Sequence, residues 1–120
     1  MRLLAVSLLL LAPAAAQEKQ AKREIPDPTN LKILKATSGR EIAQIMRTFT
    51  AGLGVQCSYC HVQGNYASDE NPKKETARKM IRMAQEINAK FEDGKMRVTC
   101  YTCHRGEAEP KTAPEPRPGG

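Results

Sequence analysis

Apolar residues recur at helical spacing in two stretches, separated by polar and glycine-containing segments. Ile42, Ile45, Met46, Phe49 and Leu53 fall at i, i+3, i+4, i+7 and i+11, one face of a first helix. Ser38 stands ahead of it as an N-cap, Glu41 three residues on completes a capping box, and Gly52 and Gly54 are expected to end it. Ala77, Met80, Ala84, Ile87 and Phe91 form a second stripe, with Met83 on its flank. Asn71 caps this second helix, Pro72 takes its first position, and it is expected to end by Gly94. Lys73, Lys74, Lys79, Arg82, Glu86 and Lys90 fall on the face expected to meet solvent. A short extended link, Met96 to Thr99, follows. No βαβ pattern is present, so the chain reads as mainly α with little regular strand.

The ends have a different character. Arg2, the apolar run Leu3 to Leu11 and the small residues Ala14-Ala15-Ala16 read as a signal peptide over 1–16, cleaved after Ala16. The run is about half the ~20 residues that a spanning helix needs, and nothing later is long and apolar enough to cross a bilayer. No Cys sits near the cleavage point for lipid attachment. The expected location is periplasmic or secreted. Residues 17–30 read as a charged leader arm holding Pro26 and Pro28. Residues 107–120, with Pro110, Pro114, Pro116 and Pro118, read as a Pro-rich disordered tail. The folded part is then 31–106, a size that usually needs disulfides, a metal or a cofactor as a staple.

Composition narrows the choice of staple. The 120-residue chain has no Trp, five aromatic residues, four Cys and two His. All six Cys and His fall in two pentapeptides, Cys57-Ser58-Tyr59-Cys60-His61 and Cys100-Tyr101-Thr102-Cys103-His104. No His is left over for a catalytic triad or a bis-His metal site. Cys-x-x-Cys-His is the attachment signature of c-type haem. In one helical turn residues i, i+3 and i+4 share a face, so both thiols reach the vinyl groups of one porphyrin. The next residue, His, lies beneath the iron as proximal ligand. The reading is two covalently bound haem c groups, on Cys57, Cys60 and His61 and on Cys100, Cys103 and His104. Two disulfides, a four-Cys zinc site spanning the intervening 39 residues, and thioredoxin-like pairs are the alternatives. None of them needs a His after each pair.

Each iron has a second face, and both His are already used. Met46, Met80, Met83 and Met96 are the Met left after leader removal. A thioether ligand favours reduced iron and raises its potential. Met46, on the apolar face eleven residues before Cys57, is the expected ligand of the first haem. For the second, a porphyrin lying along the helix needs small neighbours one turn away. Met80 has Ala77 and Ala84 there, whereas Met83 has Lys79, Met80, Glu86 and Ile87. Met80 is therefore expected to ligate and Met83 to pack on a haem face.

Charge adds less. The whole chain has 19 Lys and Arg against 13 Asp and Glu, a net +6. After leader removal the surplus is +5, and four haem propionates with two ferric cores bring it to +3 oxidised or +1 reduced; Arg97 and Arg105 near the motifs either pair with propionates or are ordinary solvated charge. No basic run is interleaved with aromatics, so nucleic acid is not an expected partner. The rest of the surplus suits an acidic redox partner.

Leu53-Gly54-Val55-Gln56-Cys57 through His61, Ala77 to Met83 with Ile87-Asn88, and Val98 through Gly106 resemble the photosynthetic reaction-centre cytochrome c subunit family. That resemblance implies that each haem follows a helix lying parallel to its plane, with sixth ligands at Met46 and Met80. This chain holds one pair of motifs where the family's bound subunit typically has two. It also has no His between the second helix and Cys100.

The expectation is a small multihaem cytochrome c, two helix-plus-CxxCH units packed around two covalent haems. Its expected role is electron transfer between redox proteins, soluble or bound to a membrane complex, with no catalytic residues. A dihaem peroxidase-type enzyme with one open iron, or a fixed relay subunit of a respiratory or photosynthetic complex, are the competing readings. The oligomeric state is not legible from the sequence.

Overall fold

A computed structural model describes residues 24–119. The leader expected over 1–16, with its cleavage point, lies outside the described residues. The element order is α1 (Gly39–Leu53), a 3-10 turn (Cys57–Tyr59), α2 (Pro72–Asn88) and α3 (Cys100–His104). β pairing among the described residues is limited to an isolated bridge between Val62 and Asn65. The fold is mainly helical.

α1 begins where expected, with the Ser38 side chain accepting from the Glu41 N–H. The return half of the capping box lands one residue early. Glu41 Oε2 accepts from the Thr37 N–H at 2.8 Å, and from its hydroxyl at 3.2 Å. Gly54, at φ 65°, ends the helix by sending its N–H to the Thr50 carbonyl. Gly52 does not end it. It is a buried residue inside α1, and a Cβ there would lie 2.8 Å from Cys100 Cβ and 2.9 Å from the Tyr101 nitrogen. The Gly106 N–H also donates to the Gly52 carbonyl at 2.9 Å. Gly52 is therefore the point where α1 and α3 pack backbone against backbone.

α2 starts at its expected cap and stops earlier than expected. Asn71 accepts from the Lys73 N–H and also donates to the Tyr59 carbonyl at 3.1 Å, tying the helix start to the first motif. At the other end, Asn88 Oδ1 accepts from the Arg97 and Val98 N–H groups, each at 2.9 Å, and its Nδ2 donates to the Val98 carbonyl at 2.7 Å. A side chain spent on the returning strap, followed by a turn from Asn88 to Gly94, closes the helix at Asn88. Phe91 thus lies beyond α2, under the Arg97 guanidinium at 4.6 Å.

Segment 25–33 is joined to this body. Asp27 accepts from the Gly39 N–H at 2.9 Å, Asn30 donates to the Ala67 carbonyl at 2.7 Å, and Lys32 meets Asp69 at 2.8 Å. Beyond α3, residues 107–119 hold no helix or strand.

Among the described residues no hydrophobic side chain is fully buried. The predicted stripe of α2 is open, with Met80 44% and Met83 48% exposed and Ile87 also exposed. An exposed apolar face of this kind marks a contact surface.

Candidate functional site

Each CxxCH segment forms one helical turn. At the first, the Cys57 carbonyl accepts from both the Cys60 N–H (3.3 Å) and the His61 N–H (3.0 Å). At the second, the Thr99 N–H donates to Thr102 Oγ1 at 2.9 Å to start α3. Arg105 then takes a left-handed conformation (φ 54°), and its N–H closes the turn on the Tyr101 carbonyl at 3.0 Å. In each motif one Cys and the His line a common hollow, Cys57 with His61 and Cys103 with His104.

The histidines share a further feature. His61 Nδ1 lies 3.0 Å from the Tyr66 carbonyl oxygen, and His104 Nδ1 lies 3.0 Å from that of Glu107. A carbonyl only accepts, so in each ring Nδ1 carries the proton and Nε2 presents its lone pair. An imidazole held this way through Nδ1 is oriented and made more basic for a metal at Nε2. The two carbonyls arrive by different routes. The loop through the Val62–Asn65 bridge returns Tyr66 to His61, with the Tyr66 ring edge-on to the imidazole (centroids 5.5 Å, 72°). The turn at Arg105 and Gly106 returns Glu107 to His104.

An open hollow adjoins each motif. One of about 550 Å³ is lined by Cys57, His61, Val55 and Tyr66 among others. Another of about 480 Å³ is lined by Cys103, His104, Arg105, Pro110 and Lys111 with their neighbours. Cys57 and Cys103 are exposed, whereas Cys60 and Cys100 are half-buried, and all four sulfurs are free. Burial pushes the Cys60 and Cys100 thiols up from their usual range, against a smaller lowering from Lys73 at Cys60. Cys100 leads its pair, and a raised thiol there does not suit a thioredoxin-like nucleophile. Among the described residues, no group of three or more His, Cys, Asp or Glu converges as a zinc cage would require.

Met46 is half-buried on α1, and Met80 and Met83 are exposed on α2. Neither Met46 nor Met80 lines the two hollows, and exposure does not separate Met80 from Met83. Arg97 is engaged elsewhere, bidentate on Asp93 at 2.7 and 2.8 Å. Arg105 stays beside His104, its guanidinium 5.9 Å from the Tyr101 ring centroid.

Sequence reasoning missed the polar cluster behind the first motif. Lys74, placed on the solvent face, has a side chain only 11% exposed. Its ammonium donates to the carbonyls of Tyr66 (2.8 Å), Ala67 (3.0 Å) and Ser68 (2.7 Å), and meets Asp69 at 3.2 Å. Asp69 also pairs with Arg78 at 2.7 Å, and Arg78, which is buried, reaches Glu75 at 3.3 Å. Arg78 and Lys32, then Asn30 and Lys74, hold the Asp69 carboxyl well below the usual carboxylate range. Burial lowers the His61 pKa, the Tyr66 carbonyl opposes this, and the charges of Lys74 and Arg78 lower it further. The i, i+4 spacing of Lys74 and Arg78 was visible; their common partner in the preceding loop was not.

The photosynthetic reaction centre cytochrome c subunit family matches residues 7–115. The chain belongs to this family. It is 38% identical over 94 residues to the photosynthetic reaction center cytochrome c subunit of Thermochromatium tepidum, covering 75% of this chain and 23% of that one. Cytochrome c-554 of Chloroflexus aurantiacus is 38% identical over 89 residues, 68% of this chain and 21% of its own length. The subunit of Rubrivivax gelatinosus is 36% identical over 86 residues, again 68% of this chain and 23% of the relative. The chain thus spans less than a quarter of the length of these relatives. Membership of a cytochrome c family implies covalent haem c, and the two Cys-x-x-Cys-His turns fit it in thiol spacing and in imidazole tautomer. No described helix is long and apolar enough to cross a membrane.

Proposed function

We propose that this chain is an electron-transfer protein of the periplasm or cell exterior, holding two haem c groups within a domain over 31–106. The observation that carries the reading is the paired histidine geometry. Behind each Cys pair, an imidazole gives its Nδ1–H to a backbone carbonyl at 3.0 Å and keeps Nε2 free for iron. Bound haem supplies a one-electron Fe(III)/Fe(II) couple. Cys57 and Cys60, and Cys100 and Cys103, fix the two groups covalently, each thiol adding across one vinyl group so that nothing leaves. His61 and His104 would each supply a nitrogen to an iron, and Met46 and Met80 a sulfur.

The apolar faces of α1 and α2 then have partners. Ile42, Ile45 and Phe49 beside Met46, and Ala77, Ala84 and Ile87 beside Met80, exclude water from the iron. With His and Met on each iron, no coordination position is left for a substrate, which supports a carrier over a peroxidase. The positive balance of the chain suits an acidic redox partner, soluble or part of a membrane complex. The names of its relatives support a reaction centre as one such complex.

The test replaces each Met by Leu in the haem-loaded protein. Wild type should show the far-red absorption band of Met-ligated ferric haem. Met46→Leu and Met80→Leu should each remove about half of it, while Met83→Leu leaves it whole. A band untouched by Met46→Leu and Met80→Leu, or peroxide turnover by wild type, contradicts the assignment.

A further inference from the structure

The two histidines face like carbonyls in unlike surroundings. The Tyr66 oxygen takes both the His61 Nδ1–H (3.0 Å) and the Lys74 ammonium (2.8 Å). The Glu107 oxygen takes the His104 Nδ1–H (3.0 Å) and, among the described residues, no ammonium. The nearest lysine in sequence, Lys111, is paired with Glu115 at 2.7 Å. We propose that Lys74 is a positioning residue that raises the reduction potential of the haem on His61, acting through the Tyr66 carbonyl. This rests on the two-haem reading above.

Two effects of the same sign support it. A good acceptor at Nδ1 makes the imidazole a stronger donor, which favours ferric iron. An ammonium on that acceptor draws its electron density away and reverses part of the effect. A fixed positive charge one hydrogen-bonded link from the ligand also disfavours the extra charge of ferric iron. Lys74 is well placed for both, because it is held by three carbonyls and by Asp69 instead of moving freely in water. Asp69 works against it: one carboxylate shared among Lys32, Lys74 and Arg78 partly neutralises the cluster.

The experiment compares Lys74→Met, Lys74→Arg and Asp69→Asn in the haem-loaded protein, by redox titration followed with nitrogen-labelled histidine NMR. The chain has only two His, so each signal reports its own haem. Lys74→Met should raise the oxidised-to-reduced ratio of the His61 haem at fixed ambient potential ~10-fold, a downward shift of about 59 mV for a one-electron couple. The His104 haem should stay in place. Lys74→Arg should restore most of the shift, and Asp69→Asn should move the same haem upward. Simple loosening of the loop would send Lys74→Met and Asp69→Asn the same way, or move both haems alike, and either result overturns the proposal. A protein whose mass shows no covalent haem overturns the two-haem reading as well.

Discussion

Gly52 shows how one missing side chain sets the position of a whole motif. Alanine is favoured over glycine inside a helix by ~1 kcal/mol, so Gly52→Ala should stabilise α1 if the helix stood alone. Here the new methyl would press on Cys100 Cβ and the Tyr101 backbone at under 3 Å. Overpacking against backbone costs ~1–3 kcal/mol. Set against that helical gain, Gly52→Ala should give a net destabilisation of up to ~2 kcal/mol and a melting temperature lower by up to roughly 15 °C; an unchanged or higher value in a thermal melt contradicts the packing. Asp69 gives a second residue-level expectation. Its folded pKa is depressed, so the stability it lends is present above its unfolded value, ~4, and is lost as pH falls toward the folded value. In a carboxyl-carbon NMR titration Asp69 should stay ionised at pH 3, where unpaired carboxylates have taken up protons. A midpoint near 4 contradicts the cluster with Arg78, Lys32 and Lys74.

At the level of elements, the sequence carried both helices, their starts and the Gly54 cap, while the end of α2 and the role of Gly52 came from the structure. Ser38 and Asn71 were legible as caps because capping is local chemistry within three residues. The end of α2 was not, since it depends on Asn88 reaching residues 97 and 98 across a turn. Phe91 continued the helical spacing and drew the expected helix too far. Gly52 was read as a stop for the same reason: its role is a contact with Cys100, distant in sequence. In the site, the Cys and His were legible as motifs, while the Tyr66 and Glu107 carbonyls and the Lys74 ammonium were not, because backbone acceptors have no side-chain signature. The Asn88 clamp can be tested on its own. Asn88→Ala removes three hydrogen bonds to the strap that delivers Cys100 and should cost ~2 kcal/mol, with faster hydrogen exchange at the Arg97 and Val98 amides. Asn88→Asp keeps the acceptor and should protect those two amides better than Ala does. Equal exchange in wild type and Asn88→Ala contradicts the clamp.

At the scale of the molecule, the described residues form a set of turns and helices held by polar contacts, with no hydrophobic side chain fully buried among them. α1 packs on α3 through backbone, α2 is anchored at both ends by asparagine, and the loop before α2 is pinned by the Asp69 cluster. The apolar stripe of α1 is half-buried and that of α2 largely exposed, as expected if covalent porphyrins supply the core of a domain this small. The most direct test of this account is haem stoichiometry on the mature protein, by intact mass with a pyridine haemochrome assay. The account predicts two covalent haems per chain, falling to one when Cys57 and Cys60 are both replaced by Ser. A mass with no haem, whether it shows zinc or two hydrogens missing per Cys pair, would contradict it.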